Sequence, residues 1–269
     1  MLLPTTSELI KKYDLGAKKS LGQNFILDKN FTDKIAKLAG DISTQEILEV
    51  GPGPGSLTRS ILDLDPIKLI AIERDHRCIY ALTEIKSHYP KLEIIEEDAL
   101  EVNELELFKN KFAIIANLPY NIATVLLFKW LKIYQSISSI HIMLQKEVAQ
   151  RIVAKQGDKH YGRLAIMVNI LCETKIALTV KNSVFTPPPK VTSAIIQLIP
   201  RPKPLFEVDL TKLERIVTVA FSQRRKKIKT PLKSIFKNPE EILSSQGIDP
   251  NHRAENLTIE DFCKITNLL

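Results

Sequence analysis

At 269 residues the chain is long enough for one large and one small domain, and its 44% hydrophobic and 26% charged residues are ordinary for a globular protein. The net charge of +7 favours an anionic partner, such as a nucleic acid. The cysteines and histidines are too scattered along the sequence for a metal site, so no bound metal is predicted. The first residues lack the apolar core of a signal peptide, and no apolar run could cross a membrane. The sequence therefore predicts a cytoplasmic protein that does not bind membranes.

Over the first 200 residues, short apolar runs alternate with helix-like stretches, as in a parallel sheet covered by helices. The predicted strands are Glu46–Val50, Leu69–Ile72, Glu93–Ile95, Phe112–Ala116, Ile140–Leu144 and Ala194–Ile199. Their Ile, Leu and Val content is typical of strands buried on both faces. A helix is predicted to begin after Asn30, acting as N-cap, and to end at Gly40. Its inward-facing residues should be Ile35, Leu38 and Ala39.

Three prolines between Pro200 and Pro204 interrupt this pattern, because proline cannot continue a helix or a central strand. We interpret the segment as a linker that divides the chain into domains of residues 1–200 and 201–269. Beyond the linker the sequence predicts three helices, Asp209–Phe221, Pro239–Gln246 and Thr258–Leu268. The second domain is therefore expected to be small and helical.

The first predicted strand runs directly into Gly51-Pro-Gly-Pro-Gly55, and a helix-like stretch follows. Such a loop lets a ligand approach the backbone, here at Gly51 and Gly53. The dinucleotide fingerprint would require glycine where Ser56 stands, and the loop lacks the Gly-Lys-Ser/Thr of a phosphate-binding P-loop. The form Glu-Val-Gly-x-Gly-x-Gly instead resembles motif I of the class I S-adenosylmethionine methyltransferases.

Two acidic residues stand at the ends of the next two predicted strands. Glu73 is placed to accept hydrogen bonds from both ribose hydroxyls of a nucleoside. Asp98 is placed to accept one from the amine of the cofactor's adenine. Because the carboxyl ends of parallel strands meet at one edge of a sheet, both acids are predicted to belong to the same cofactor site.

The segment Asn117-Leu118-Pro119-Tyr120 follows the fourth predicted strand. The exocyclic amine of adenine is a poor nucleophile, because its lone pair is delocalised into the ring. Hydrogen-bond acceptors such as the Asn117 side-chain oxygen and the Leu118 carbonyl would turn that lone pair toward a methyl donor. Pro119 would fix the turn, and Tyr120 offers a ring for stacking a flipped-out adenine. Asn117 is expected to contact the cofactor as well.

Five segments together resemble the ribosomal RNA small-subunit adenine dimethyltransferases of the bacterial KsgA type over nearly the whole chain. They are Lys19–Phe25, Glu49–Thr58, Asn117–Tyr120, Phe185–Ser193 and Arg253–Leu257. The resemblance implies that Gln23, Asn24 and Ile26 close over the methionyl part of the cofactor. It also implies that Phe185 flanks the target base. The related Erm methylases of large-subunit RNA typically carry isoleucine where Leu118 stands.

Residues 222–237 hold seven cations and no acid. In a protein that acts on RNA, such a run is predicted to bind phosphates. The predicted phosphate contacts are Arg224, Arg225, Lys226 and Lys227, and Lys18 and Lys19 are expected to extend the same surface. These residues would position the RNA, whereas the pocket at Tyr120 would select the base.

The predicted fold is α/β, a Rossmann-like class I methyltransferase sheet followed by a small helical domain. By resemblance, the predicted activity is S-adenosylmethionine-dependent dimethylation of N6 of two adjacent adenosines in the 3′-terminal hairpin of 16S ribosomal RNA. The expected partner is the immature 30S subunit, and the chain is expected to be monomeric. Two alternatives stay open at this point, an adenine methylase of DNA or large-subunit RNA and a ribosome-assembly factor whose binding matters more than its chemistry.

Overall fold

The structure, a computed structural model, describes residues 3–17 and 23–269. The chain divides into two compact units, one of Met1–Ala149 with Lys175–Pro200 and the other of Gln150–Thr174 with Arg201–Leu269. The boundary predicted at residue 200 coincides with one of the divisions between the units. Residues 150–174, which were predicted to belong to the first domain, belong instead to the second unit. Within the second unit, the proline-rich segment is held by hydrogen bonds from the Arg201 and Leu205 backbone N–H groups to carbonyls of residues 171 and 170.

The strands are β1 (Phe25–Ile26), β2 (Glu46–Val50), β3 (Lys68–Glu73), β4 (Leu92–Glu96), β5 (Phe112–Asn117), β6 (Ile137–Gln145), β7 (Cys172–Val180), β8 (Phe185–Thr186) and β9 (Ser193–Pro200). The helices are α1 (Thr6–Lys12), α2 (Lys29–Lys37), α3 (Ser56–Leu62), α4 (His76–Lys86), α5 (Glu104–Leu107), α6 (Ala123–Leu131), α7 (Lys146–Val153), α8 (Arg163–Asn169), α9 (Leu210–Ser222), α10 (Lys229–Leu232), α11 (Pro239–Ser245) and α12 (Ile259–Thr266). All six predicted strands are confirmed, with ends shifted by up to three residues.

Seven strands form one sheet in the order β4-β3-β2-β5-β6-β9-β7. The pairs from β4 through β6 are parallel, and β9 runs antiparallel to β6. The strand order reverses between β2 and β5, so the crevice at their carboxyl ends is the expected ligand site of such a sheet. The predicted α/β architecture is confirmed.

The sequence analysis missed β7 and the short antiparallel pair of β1 with β8. Strand β7 lies at an edge of the large sheet and its burial pattern is mixed, with Glu173 exposed and Lys175 exposed. A half-exposed edge strand carries no continuous apolar run, which explains why it was not recognised.

The predicted cap of α2 was wrong by two residues. The helix begins at Lys29, and Asp28 is its N-cap, because the Asp28 side chain accepts a hydrogen bond from the Asn30 backbone N–H. Ile35 is buried as predicted. In the second unit the three predicted helices are confirmed, and the α12 capping box between Thr258 and Asp261 is formed in both directions.

Candidate active site

The glycine loop lies between β2 and α3, in the crevice where the strand order reverses. Gly53 adopts φ +56°, and its N–H donates to Glu73 Oε2 at 2.9 Å. Gly55 adopts φ +86°, and a Cβ there would lie 2.2 Å from Ile85 Cδ1. Both positions therefore require glycine, the first for the loop conformation and the second also for packing against α4.

Glu73, the last residue of β3, is 7% exposed and held rigidly by backbone N–H groups. Its Oε1 accepts from the N–H groups of Arg74 and Asp75, each at 2.8 Å. Burial raises the pKa of the Glu73 carboxyl, while these hydrogen bonds and the one from Gly53 oppose the rise. The carboxylate is thus oriented by the backbone, and Oε2, which accepts a single bond from Gly53, retains capacity for a hydroxyl donor.

Asp75 was not recognised in the sequence, yet it connects three parts of the site. Its side chain accepts from Gln23 Nε2 at 2.9 Å and from two nitrogens of Arg77 at 2.7 and 3.0 Å. Burial acts to raise the pKa of Asp75, but the hydrogen bonds from Arg77 and Gln23 outweigh burial and lower it. The charged carboxylate therefore ties Gln23 to the turn that follows Glu73.

Asp98 lies beyond the end of β4, as predicted, and both of its oxygens accept hydrogen bonds. Arg74 Nη1 donates to Oδ2 at 2.9 Å, and the Leu100 N–H donates to Oδ1 at 3.0 Å. The Asp98 side chain remains 27% exposed. It is oriented by its own loop and by an exposed arginine, which leaves acceptor capacity on the carboxylate.

The Asn-Leu-Pro-Tyr segment begins at Asn117, the last residue of β5. The Asn117 side-chain nitrogen donates to the Asn24 backbone carbonyl at 3.4 Å, so its side-chain oxygen keeps its acceptor capacity. The Ile122 N–H donates to the Pro119 carbonyl at 3.2 Å and closes the turn. Tyr120 is half-buried. The segment therefore presents an amide oxygen and a tyrosine ring side by side.

One cavity of about 190 Å³ brings together all the predicted cofactor-binding residues. Its walls include Gln23, Asn24, Ile26, Gly51, Gly53, Glu73, Asp98 and Asn117, together with Leu118, Pro119 and Tyr120. Among the described residues that line it, five are acids and one, Arg74, is basic. Such a wall favours a cationic nucleoside and disfavours nucleotides that carry several phosphates. The donor set therefore fits S-adenosylmethionine, whose net charge is positive.

Phe185 is not among the residues that line this cavity. Its ring is 2% exposed and packs in the hydrophobic core, and in the β1–β8 pair Phe185 lies opposite Ile26. In this structure the Phe185 ring therefore does not form part of the cavity wall. The sequence does not indicate which side of the sheet the ring of an aromatic residue next to a proline-rich turn will occupy.

Glu49 is a second residue that the sequence analysis passed over. It lines the cavity from the end of β2, yet its side chain is 1% exposed. Burial raises the pKa of the Glu49 carboxyl to about 8. The nearby Thr58 side chain acts to lower this pKa, and the Glu73 charge raises it further. The sequence could have indicated this residue, because Glu49 stands in the glycine-loop motif directly before Val50 and Gly51.

The second unit carries the predicted phosphate-binding run, and the four cations have different surroundings. Arg224 pairs with Glu255 at 2.8 Å and also donates to the Lys159 carbonyl at 2.6 Å. Lys227 donates to Asn251 at 2.8 Å. The side chains of Arg225 and Lys226 are exposed and make no ion pair or hydrogen bond within the described residues, although the Lys226 backbone N–H donates to the Gln223 carbonyl at 2.8 Å. Lys18 and Lys19 lie outside the described residues.

Within the described part of the chain, no group of three or more His, Cys, Asp or Glu side chains is placed to hold a metal ion. Over the same residues, no helix has the length and apolar character that spanning a membrane requires.

The reversal of strand order, the glycine loop and the acidic cavity between them define a class I methyltransferase. A family model for ribosomal RNA adenine dimethylases matches residues 15–269, and the chain belongs to that family. It is an rRNA adenine methyltransferase by this membership.

Individual relatives give the same result. The chain is 48% identical over 272 residues to the ribosomal RNA small subunit methyltransferase A of Allorhizobium ampelinum, covering 99% of this chain and 98% of the relative. Among solved structures, a dimethyladenosine transferase from Plasmodium falciparum is similar with a TM-score of 0.79 and 28% identity, over 90% of this chain and 95% of that one. The 23S rRNA methyltransferase ErmE is similar with a TM-score of 0.71 and 27% identity, over 91% and 98%.

Proposed function

We propose that the chain transfers methyl groups from S-adenosylmethionine to N6 of two adjacent adenosines in the 3′-terminal hairpin of 16S ribosomal RNA. The substrate is the immature 30S subunit, to whose maturation the chain contributes, and the site of action is therefore the cytoplasm. One observation carries the proposal: Asn117 and Tyr120 line the same cavity as the nucleoside-binding acid Glu73.

The cofactor residues are assigned from their positions in the cavity. Glu73 accepts the ribose hydroxyls, because its oriented carboxylate retains acceptor capacity at Oε2. Asp98 accepts from the adenine amine, and Gly51 and Gly53 let the ligand approach the backbone. The remaining contacts, to the methionyl part, come from Gln23, Asn24 and Ile26. When bound, S-adenosylmethionine supplies a methyl group that is already activated by a positively charged sulfur.

The target amine is handled by the Asn-Leu-Pro-Tyr segment. Asn117 Oδ1 and the Leu118 carbonyl accept hydrogen bonds from the two amine hydrogens, which localises the lone pair on nitrogen. Tyr120 stacks on the extruded base, and Pro119 closes the turn that sets these groups side by side. No general base is needed to begin transfer, so positioning supplies most of the rate enhancement. Phe185, which packs in the hydrophobic core in this structure, is assigned by the family resemblance to flank the target base.

The choice of small-subunit RNA follows from the degree of similarity. The relatives that are 46–48% identical to the chain carry the name ribosomal RNA small subunit methyltransferase A. The large-subunit methyltransferase ErmE is 27% identical. Leu118 also differs from the isoleucine typical of the Erm methylases.

The proposal is tested by incubating the protein with S-adenosylmethionine labelled in the methyl group and with purified unmethylated 30S subunits. Label is expected at N6 of two adjacent adenosines near the 3′ end of 16S RNA, in a ratio that approaches two methyl groups per adenosine. Purified 50S subunits and double-stranded DNA serve as controls. Label that appears on either control and not on 30S subunits would refute the assignment.

The different surroundings of the four basic residues predict a division of roles in RNA binding. Replacing both Arg225 and Lys226 with glutamine should make the slope of log affinity against log salt shallower by about 1.4–1.8, because two phosphate contacts are lost. Thermal stability should stay unchanged, since neither side chain pairs with another of the residues that the structure describes. Binding to 30S subunits at several salt concentrations measures the slope.

The matched control replaces Arg224 and Lys227 with glutamine. This pair should lower the melting temperature of the protein, because the Arg224–Glu255 ion pair and the bond to the Lys159 carbonyl are lost. A salt slope for the Arg225 and Lys226 double variant that is unchanged from wild type would show that these two side chains are only a solvated face.

A further inference from the structure

Two separate motifs of the sequence meet at one hydrogen bond beside the active-site cavity. The Tyr120 hydroxyl and Ser193 Oγ are 2.6 Å apart, although 73 residues separate them in the chain. Tyr120 ends the Asn-Leu-Pro-Tyr segment, and Ser193 ends the segment that begins at Phe185. The contact therefore links the residue that stacks on the base to Ser193, which has no other assigned role in the reaction.

The two partners differ in how firmly they are held. Ser193 is 0% exposed, is the first residue of β9 and lies opposite Gln145 on β6. The pairing extends beyond the strands, because the Lys146 N–H donates to the Thr192 carbonyl at 2.9 Å. Ser193 Oγ is thus attached to a rigid and fully buried backbone.

Tyr120, in contrast, lies in the turn between β5 and α6 and is half-buried, with its side chain on the cavity wall. A tyrosine ring in a turn has two rotatable side-chain bonds and can adopt several orientations. Burial raises the pKa of the Tyr120 hydroxyl, against the Ser193 hydrogen bond that lowers it, so the phenol is neutral at physiological pH. A neutral hydroxyl can both donate to and accept from serine.

We propose that Ser193 is a positioning residue for methyl transfer, and that its hydroxyl, acting through the Tyr120 hydroxyl, sets the plane of the ring on which the target adenine stacks. This inference rests on the proposed function, because it gives Tyr120 the role of stacking platform. A stacked base turns with its platform, so a rotation of the ring moves the target amine away from the methyl group. Misplacement of a reacting group lowers the rate of reaction more than it lowers binding.

The test is a double-mutant cycle of Ser193→Ala and Tyr120→Phe. Tyr120→Phe keeps the stacking ring and removes only the hydroxyl, and Ser193→Ala removes the other half of the same hydrogen bond. Each single variant should lower the single-turnover rate of methyl transfer to 30S subunits on the order of tenfold. The double variant should be no slower than either single variant, because both remove one interaction. The cofactor dissociation constant should stay within about twofold of wild type in all three.

Ser193→Thr retains the hydroxyl and should restore most of the rate. If a Ser193 variant does not fold, Tyr120→Phe alone still decides, since its only change is at the cavity wall. A wild-type rate for Tyr120→Phe, or additive losses in the double variant, would overturn the inference. A loss of thermal stability in Ser193→Ala without loss of rate below the melting temperature would also overturn it, because that is a purely structural role.

Failure of this inference is distinguishable from failure of the proposed function. If wild-type protein labels adjacent adenosines in 30S subunits and the Ser193 and Tyr120→Phe variants do so equally fast, only the positioning role is refuted. If wild-type protein labels no adenosine in 30S subunits, the proposed function itself fails, and the role of Ser193 fails with it.

Discussion

Replacing Asn117 with alanine is expected to lower the rate of methyl transfer on the order of a hundredfold to a thousandfold, the loss found when one preorganised hydrogen-bonding group is removed from an active site. The side-chain oxygen of Asn117 is the acceptor aimed at the target amine, whereas its nitrogen only contacts the Asn24 carbonyl, at 3.4 Å. Cofactor affinity, to which Asn117 also contributes, should therefore fall far less than the transfer rate. Single-turnover transfer and calorimetric titration with S-adenosylmethionine measure the two effects separately.

The matched control is Glu73→Gln, which should show the reverse pattern. Loss of the charge at Glu73 should weaken cofactor binding by about 1–3 kcal/mol, since hydrogen bonds to a charged group are the stronger ones. At saturating cofactor the transfer rate should recover, because Glu73 is assigned to the ribose and not to the amine. If Asn117→Ala transferred methyl groups normally and bound the cofactor weakly, the two assignments would have to be exchanged.

Part of the cavity was predictable because Glu73, Asp98 and Asn117 stand at the ends of apolar strands, whereas Gln23, Asn24 and Ile26 were implied only by the family resemblance. Glu73 and Asp98 follow β3 and β4, and parallel strands bring such ends together whatever the intervening helices are. Asn117 could be placed on the same edge for the same reason, as the last residue of β5. Hydrophobic periodicity in the sequence is sufficient to place these residues at one edge of the sheet, because their position depends only on where each parallel strand ends.

Contacts between residues that are far apart in the sequence could not be predicted by the same reasoning. The bond of Gln23 to Asp75 spans 52 residues, and the bond of Tyr120 to Ser193 spans 73. Neither pair has a spacing that periodicity can detect, because both depend on how loops fold over the sheet edge. The ion pair of Arg224 could not be predicted for the same reason. Its partner Glu255 lies 31 residues away, and a run of basic residues does not indicate which of them is paired within the protein.

The stability of the protein is expected to fall as the pH rises from 5.5 to 7.5, in part because of Glu49. In the folded protein, burial raises the pKa of the Glu49 carboxyl to about 8, whereas its ordinary value is 4.5. Between these values the folded state holds a proton that the unfolded state has lost. The free energy of unfolding therefore decreases with pH, by up to about 1.4 kcal/mol per pH unit from this group. The raised pKa of Glu73 acts in the same direction.

Glu49→Gln removes this contribution while keeping the shape of the side chain. The difference in unfolding free energy, variant minus wild type, should grow by about 2–3 kcal/mol between pH 5.5 and 7.5. Urea denaturation at three pH values in the absence of cofactor measures it, and subtracting wild type cancels the titration of all groups that do not interact with Glu49. Glu101→Gln, at an exposed acid, is the control and should give a curve parallel to wild type. A parallel curve for Glu49→Gln as well would mean that Glu49 is already ionised in the folded protein, with its buried charge compensated from within the cavity wall.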